Sequence, residues 1–283
     1  MISTDLQHSL RRAFVAARAR RCGTVSLELL LLALLRDPSA AQALRGCAVD
    51  VDELRAELSA LVRDNTLAAP AGSPVVPRAS LEFERSLQRA IMLVQATRSR
   101  NVRSTGLARL ARQAAMRALA FFGIRVGWGT VNGADVLVAI FGEKDSLAVR
   151  ELQRRGVTRF DVTRWLAHGI AKSDPPEAVD PLVAAGTDLD VVLLDDDFTP
   201  MEFVVKVLQD ELGLDQVAAT QRMLAIHHEG RASCGRFAAE VAASKVERVH
   251  AAARREEHPL RCVLEQASPG QGEGRRGARS ATM

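Results

Sequence analysis

Leu189-Asp190-Val191-Val192-Leu193-Leu194-Asp195-Asp196-Asp197-Phe198-Thr199-Pro200-Met201-Glu202-Phe203-Val204 changes structural character within one short stretch. Leu189 to Leu194 is a Leu- and Val-dominated run of the length of a buried strand. It stops at three aspartates, and Thr199-Pro200-Met201-Glu202 then reads as a capping box. Thr199 is expected as N-cap, Pro200 as the first helical residue and Glu202 as the side chain reaching back, which predicts a helix to about Leu212. Asp215 is placed to cap a second helix through Glu229, which Gly230 ends. Segments near Ser233 to Phe237 and Arg261 to Glu265 read as strands around a helix from Ala239 to Arg255. The predicted order over residues 189–268 is βααβαβ, a small α/β domain.

The N-terminal half is organised differently, by a degenerate internal repeat. Leu10, Ala13, Phe14 and Ala17 fall on Leu87, Ala90, Ile91 and Val94, with helical spacing and a displacement of 77 residues. The apolar runs Val25 to Leu35 and Val131 to Phe141 superpose at a displacement of 106. The 29-residue difference marks an insertion between about Arg98 and Thr130. Each repeat closes on a similar segment, Val49 to Leu54 and Val157 to Val162, so a further helix is expected after each apolar run. Inside the insertion, Leu107, Leu110, Ala111, Ala114, Ala115, Ala118, Leu119 and Phe122 line one face of an amphipathic helix whose other face carries Arg109, Arg112 and Arg117. Packing against its own domain is the expected use of that face, with a membrane surface or an acidic partner as the alternatives. The expected organisation is an all-α domain over 1–172, a Pro-rich linker over 173–188, the α/β domain over 189–268 and a disordered Gly- and Arg-rich tail over 269–283. The fold class is α+β overall.

Composition agrees with a folded chain of two domains: 283 residues, 47% apolar, 25% charged, with only 4% aromatic and no Tyr. Cys22, Cys47, Cys234 and Cys262 lack zinc-ligand spacing and read as buried thiols in a reducing compartment. No signal peptide is recognisable, and Leu27 to Leu35 is about half the length needed to span a bilayer. The cytoplasm is the expected location, and membrane binding is not expected. A net charge of +4, partly in the tail, does not demand nucleic acid.

Three readings compete for Asp195, Asp196 and Asp197: a solvated acidic turn, a metal site, or a seat for an ammonium group. Metal binding is disfavoured because adjacent side chains diverge and no further ligand stands at useful spacing. Met223, Ile226 and His227 share one helical face, which by itself reads as core with a satisfied imidazole. His227-His228-Glu229 is not H-E-x-x-H, there is no P-loop, and no G-x-S-x-G elbow occurs. The G-x-G-x-x-G at Gly272 to Gly277 follows no strand and opens no helix. No enzymatic activity, cofactor or metal is therefore expected.

The segment Asp195 to Val204 resembles the ClpS adaptor family, whose signature there is N-D-D-[YF]-T-P-M-E-F-V. The likeness continues through Ala219-Thr220-Gln221, Met223-Leu224, His227, Glu229-Gly230, Cys234-Gly235, Glu240-Val241-Ala242, Lys245-Val246, His258-Pro259-Leu260 and Cys262. Val25 to Pro38 and Val136 to Phe141 resemble the Clp N-terminal double repeat that precedes the ATPase modules of ClpA-like unfoldases. The resemblance implies an adaptor for N-degrons, substrates with N-terminal Phe, Leu or Trp, with Tyr as a further candidate. It implies that Asp195, Asp196 and His227 hold the free amine and first peptide unit, with Asp197 and Thr199 in the same segment, while Met201, Met223, Ile226 and Leu260 line an apolar pocket. It assigns Glu240 and Lys245 to docking on the N-terminal domain of a ClpA-like unfoldase, and through it to ClpP. Asp195 departs from the family Asn, keeping an acceptor oxygen but losing an amide donor. The alternative is a regulatory protein that competes for Clp docking surfaces without binding peptide.

Overall fold

The structure, a computed structural model, describes residues 2–65, 75–101, 130–174 and 188–266. The expected insertion helix, most of the linker and the tail lie outside the described residues.

The helical half contains α1 (Thr4–Ala19), α2 (Leu27–Leu34), α3 (Pro38–Gly46), α4 (Val51–Asn65), α5 (Leu81–Asn101), α6 (Gly133–Ile140), α7 (Leu147–Arg154) and α8 (Arg159–His168). α2 and α6 are apolar nearly all round, and such helices are stable only when enclosed. Leu27, Leu29, Leu30, Leu31 and Leu34 of α2 are at most 2% exposed, and Val136, Leu137 and Ile140 of α6 are fully buried. The outer helices turn one stripe inward. Ala13, Ala17 and Ala90 are fully buried, and Leu10, Phe14, Leu87, Ile91 and Val94 pack against the same cluster.

The repeat is visible in the element bounds. α5 starts 77 residues after α1, and α2 and α6, eight residues each, are displaced by 106. Short strands β1 (Thr24–Val25) and β2 (Arg78–Ala79) pair in parallel, and Ile2 bridges Val131 in the same sense. Val25 and Val131 are equivalent in the repeat, as are Ile2 and Ala79. Each repeat therefore pairs with the other's extended segment, adding a strand exchange to the expected all-helical domain.

The C-terminal half follows β3 (Asp188–Leu194), α9 (Met201–Asp210), α10 (Gln216–Glu229), β4 (Arg231–Ala238), α11 (Ala239–Arg255) and β5 (Arg261–Gln266). β3 is central in an antiparallel sheet of order β4-β3-β5. α9, α10 and α11 share the apolar core with the sheet's buried residues, including Val191 and Leu193, both fully buried. Asp215 caps α10 by accepting from Ala218 N (2.8 Å), and Gly230 ends it at φ 82, where a side chain would be strained.

The capping box at Thr199 does not form. α9 begins one residue later, with Pro200 at the N-cap and no side-chain cap bond. Thr199 is 4% exposed, and its hydroxyl donates instead to Asp196 Oδ2 at 2.7 Å. A buried carboxylate needs donors, and this demand outweighs a single helix cap.

All four cysteines are buried, and none forms a disulfide. Burial, with the Asp161 charge second, pushes the Cys47 thiol up to about 12, and burial pushes Cys234 up to about 11. Both are unreactive thiols at neutral pH.

Candidate functional site

At the end of β3 the chain must leave the sheet without abandoning its backbone groups. Asp195 N donates to Gly230 O (2.9 Å), tying the strand's exit to the end of α10. Asp196, 8% exposed, then organises the turn: Oδ1 accepts from Phe198 N (2.8 Å) and Thr199 N (2.7 Å), and Oδ2 from the Thr199 hydroxyl. These bonds fill three of the roughly four acceptor positions of a carboxylate. Asp196 thus shapes the loop as well as bordering the space beside it.

That space is a cavity with about 290 Å³ of empty volume, its mouth included. Asp195, Asp196, Thr199 and His227 supply its polar lining. Met201, from the start of α9, Met223 and Ile226, from α10, and Leu260, from the turn before β5, supply apolar lining. The helical spacing of Met223, Ile226 and His227 puts all three on one face, where they are 9%, 2% and 9% exposed. His227 Nδ1 is 3.6 Å from Asp195 Oδ1, so an imidazole and a carboxylate adjoin in the cavity's lining.

Eight of the nine residues expected to bind an N-terminus therefore meet in one cavity, and Asp197 is not among its lining residues. Its charge acts on Asp135 of α6, whose carboxyl is pushed up to about 6 mainly by burial, with Asp197 and Asp37 adding. Leu194 and Val204 also line the cavity and were not foreseen. Val204 stands three residues after Met201, so helical spacing carried that signal.

Glu240 and Lys245 lie apart from this cavity on α11. Glu240 is exposed, whereas Lys245 Nζ donates to Glu211 O (3.0 Å) and sits 4.7 Å from the Phe237 ring centroid. Among the described residues, no group of three or more His, Cys, Asp or Glu could hold a metal ion, and no helix is long and apolar enough to cross a membrane.

Comparison with known proteins adds a family to this geometry. Residues 186–263 match the family described as ATP-dependent Clp protease adaptor protein ClpS, and residues 1–107 match the Clp repeat N-terminal domain. The ATP-dependent Clp protease adapter protein ClpS of Leptothrix cholodnii is 65% identical over 77 residues, 27% of this chain and 67% of that protein. A ClpA homolog protein of Fuscovulum blasticum is 34% identical over 176 residues, 61% of this chain but 18% of the relative. Among solved structures, Agrobacterium tumefaciens ClpS2 bound to L-phenylalaninamide aligns with 26% identity, covering 29% of this chain and 98% of its own, at a TM-score of 0.28. Through its C-terminal half the chain belongs to the ClpS family of Clp protease adaptors, and it joins that unit to an N-terminal Clp repeat domain.

Proposed function

We propose that the chain is a non-catalytic adaptor that binds substrates through a free N-terminal Phe, Leu, Trp or Tyr and delivers them to a ClpA-like unfoldase and its ClpP peptidase in the cytoplasm. The observation that carries this reading is one cavity lined both by polar groups, Asp195, Asp196 and His227, and by apolar ones, Met201, Met223, Ile226 and Leu260. An ammonium group needs acceptors, which the aspartates supply, and the first side chain needs a dry wall. Each charge-assisted hydrogen bond contributes roughly 1.5 to 3 kcal/mol. Burial of a Phe or Leu side chain contributes about 1.5 to 3 kcal/mol more. After association costs the sum corresponds to roughly micromolar affinity, weak enough for transfer to an unfoldase. Exposed Glu240 on α11 suits docking on a second protein.

Fluorescence anisotropy with a labelled Phe-initiated peptide tests the reading. Acetylating the α-amine removes the cation and should weaken binding at least about tenfold. Equal affinity for both peptides would overturn it and favour a regulator that competes for Clp docking surfaces. In a reconstituted system, degradation of a Phe-initiated substrate should rise only when unfoldase and peptidase are both present.

A further inference from the structure

The helical half touches the C-terminal half at the borders of the cavity. α8 reaches the turn 257–260 with both of its ends: Arg159 Nη1 donates to Glu257 O (3.0 Å), and His168 Nε2 lies 2.7 Å from Pro259 O. A carbonyl only accepts, so His168 carries its proton on Nε2. Glu257 is a non-glycine residue at φ 56, so one of the two carbonyls gripped by α8 belongs to a residue in the left-handed region. The residue after Pro259 is Leu260, 4% exposed and part of the cavity's apolar wall. On the other border, Phe198 packs against the apolar cluster of the helical half while its N–H donates to Asp196 Oδ1. The loop 195–200 and the turn 257–260 are thus both held from outside their own half.

We propose that Arg159 and His168 are positioning residues for the peptide cavity. By fixing the Leu260 wall relative to the Asp196 loop they set the width available to a substrate's first side chain, so peptide binding and docking of the two halves are coupled. This inference rests on the peptide-binding reading above. Coupling is reciprocal: whatever docking contributes to peptide binding, bound peptide contributes to docking.

The test uses the full chain and the same labelled peptides. His168→Ala removes this donor without changing any cavity residue and should weaken the free-amine peptide about fivefold. His168→Gln, whose amide can donate to the same carbonyl, should restore most of that loss. Hydrogen exchange supplies a readout independent of affinity. In the double variant Arg159→Ala/His168→Ala without peptide, fragments spanning 257–264 should exchange faster by about tenfold. In the parent, saturating Phe-initiated peptide should slow exchange in α8. If the parent discriminates free from acetylated peptide but His168→Ala binds as the parent does, with exchange unchanged, the positioning role is overturned and the adaptor reading stands. A parent that binds both peptides equally overturns both.

Discussion

Two buried aspartates do the same local work in the two halves and end with different capacities. Asp37, fully buried, accepts at Oδ1 from Ser39 N (3.0 Å), Ala40 N (3.4 Å) and the Ser39 hydroxyl (2.6 Å), which starts α3. Its Oδ2 is reached by the Ser9 hydroxyl of α1 at 3.4 Å, so a second helix closes the carboxylate off. Asp196 repeats the pattern with Phe198 N, Thr199 N and the Thr199 hydroxyl, but among the described residues no second helix donates a hydrogen bond to it, and it borders the cavity. A buried carboxylate enclosed on all sides is architecture, whereas one left beside an open space can also receive a ligand.

The contrast breaks first at Asp37. Asp37→Ala removes an N-cap and leaves the Ser39 and Ala40 N–H groups without their acceptor at a fully buried site, which should cost about 2 to 4 kcal/mol. A urea titration followed by circular dichroism measures it. A loss below about 1 kcal/mol would mean that Asp37 is a replaceable cap.

The next effect tests the apolar wall. Met201 is the first residue of α9 and lines the cavity, so its thioether is placed to lean over a first residue slim at Cβ and to collide with Ile or Val. Met201→Ala should improve Ile-initiated relative to Leu-initiated peptides by about 1 to 3 kcal/mol. An unchanged Leu-to-Ile affinity ratio would make Met201 a packing residue only.

Asp196→Asn sharpens the comparison at smaller cost. Asparagine keeps an acceptor for the Phe198 and Thr199 amides, and the Thr199 hydroxyl can reverse its role and accept. The fold should persist while the amine loses a charged acceptor, weakening the free-amine peptide about tenfold. The acetylated peptide should be nearly indifferent to the change. Equal weakening of both peptides would trace the loss to the loop's shape instead.

Local signals were legible in the sequence and tertiary ones were not. The offsets of 77 and 106 foretold α1 with α5 and α2 with α6, because apolar periodicity is written into each segment by itself. The exchange of extended segments between Ile2 and Val131, and between Val25 and Ala79, depends on how the repeats face each other. Thr199 fits the motif of a cap, but the buried Asp196 beside it takes its hydroxyl instead. Residues of the cavity come from resemblance and helical spacing together; Val204, three residues after Met201, carries the helical signal without being singled out, whereas Leu194, the last residue of the strand, is marked by neither. Arg159 and His168 look like ordinary polar residues of a solvated helix until the fold brings them to the 257–260 turn.

The last prediction sets the halves against each other in pH. Asp135, half-buried at the start of α6, accepts from Asn132 N (2.8 Å), yet burial and the charges of Asp197 and Asp37 raise it from 3.8 to about 6. Between those values the folded chain keeps a proton that the unfolded chain has released, so the proton favours the fold. That contribution is present at about pH 4 and is lost as the pH rises past about 6. His258, its ring 4.6 Å from Phe203, has its pKa lowered from 6.5 by burial first and the Arg159 charge second. A lowered histidine works the other way: it favours the fold above 6.5, and the benefit fades as the pH falls toward its folded value. Because the two slopes oppose, the parent's pH dependence alone does not isolate Asp135, but a variant does. Asp135→Asn removes the carboxyl and leaves His258 untouched. Between about pH 5 and pH 7.5 the variant should gain stability over the parent by about 1 kcal/mol, discounted for partial exposure. Urea midpoints of both proteins at the two pH values give this difference, and a gap that does not change with pH would assign the slope to other groups.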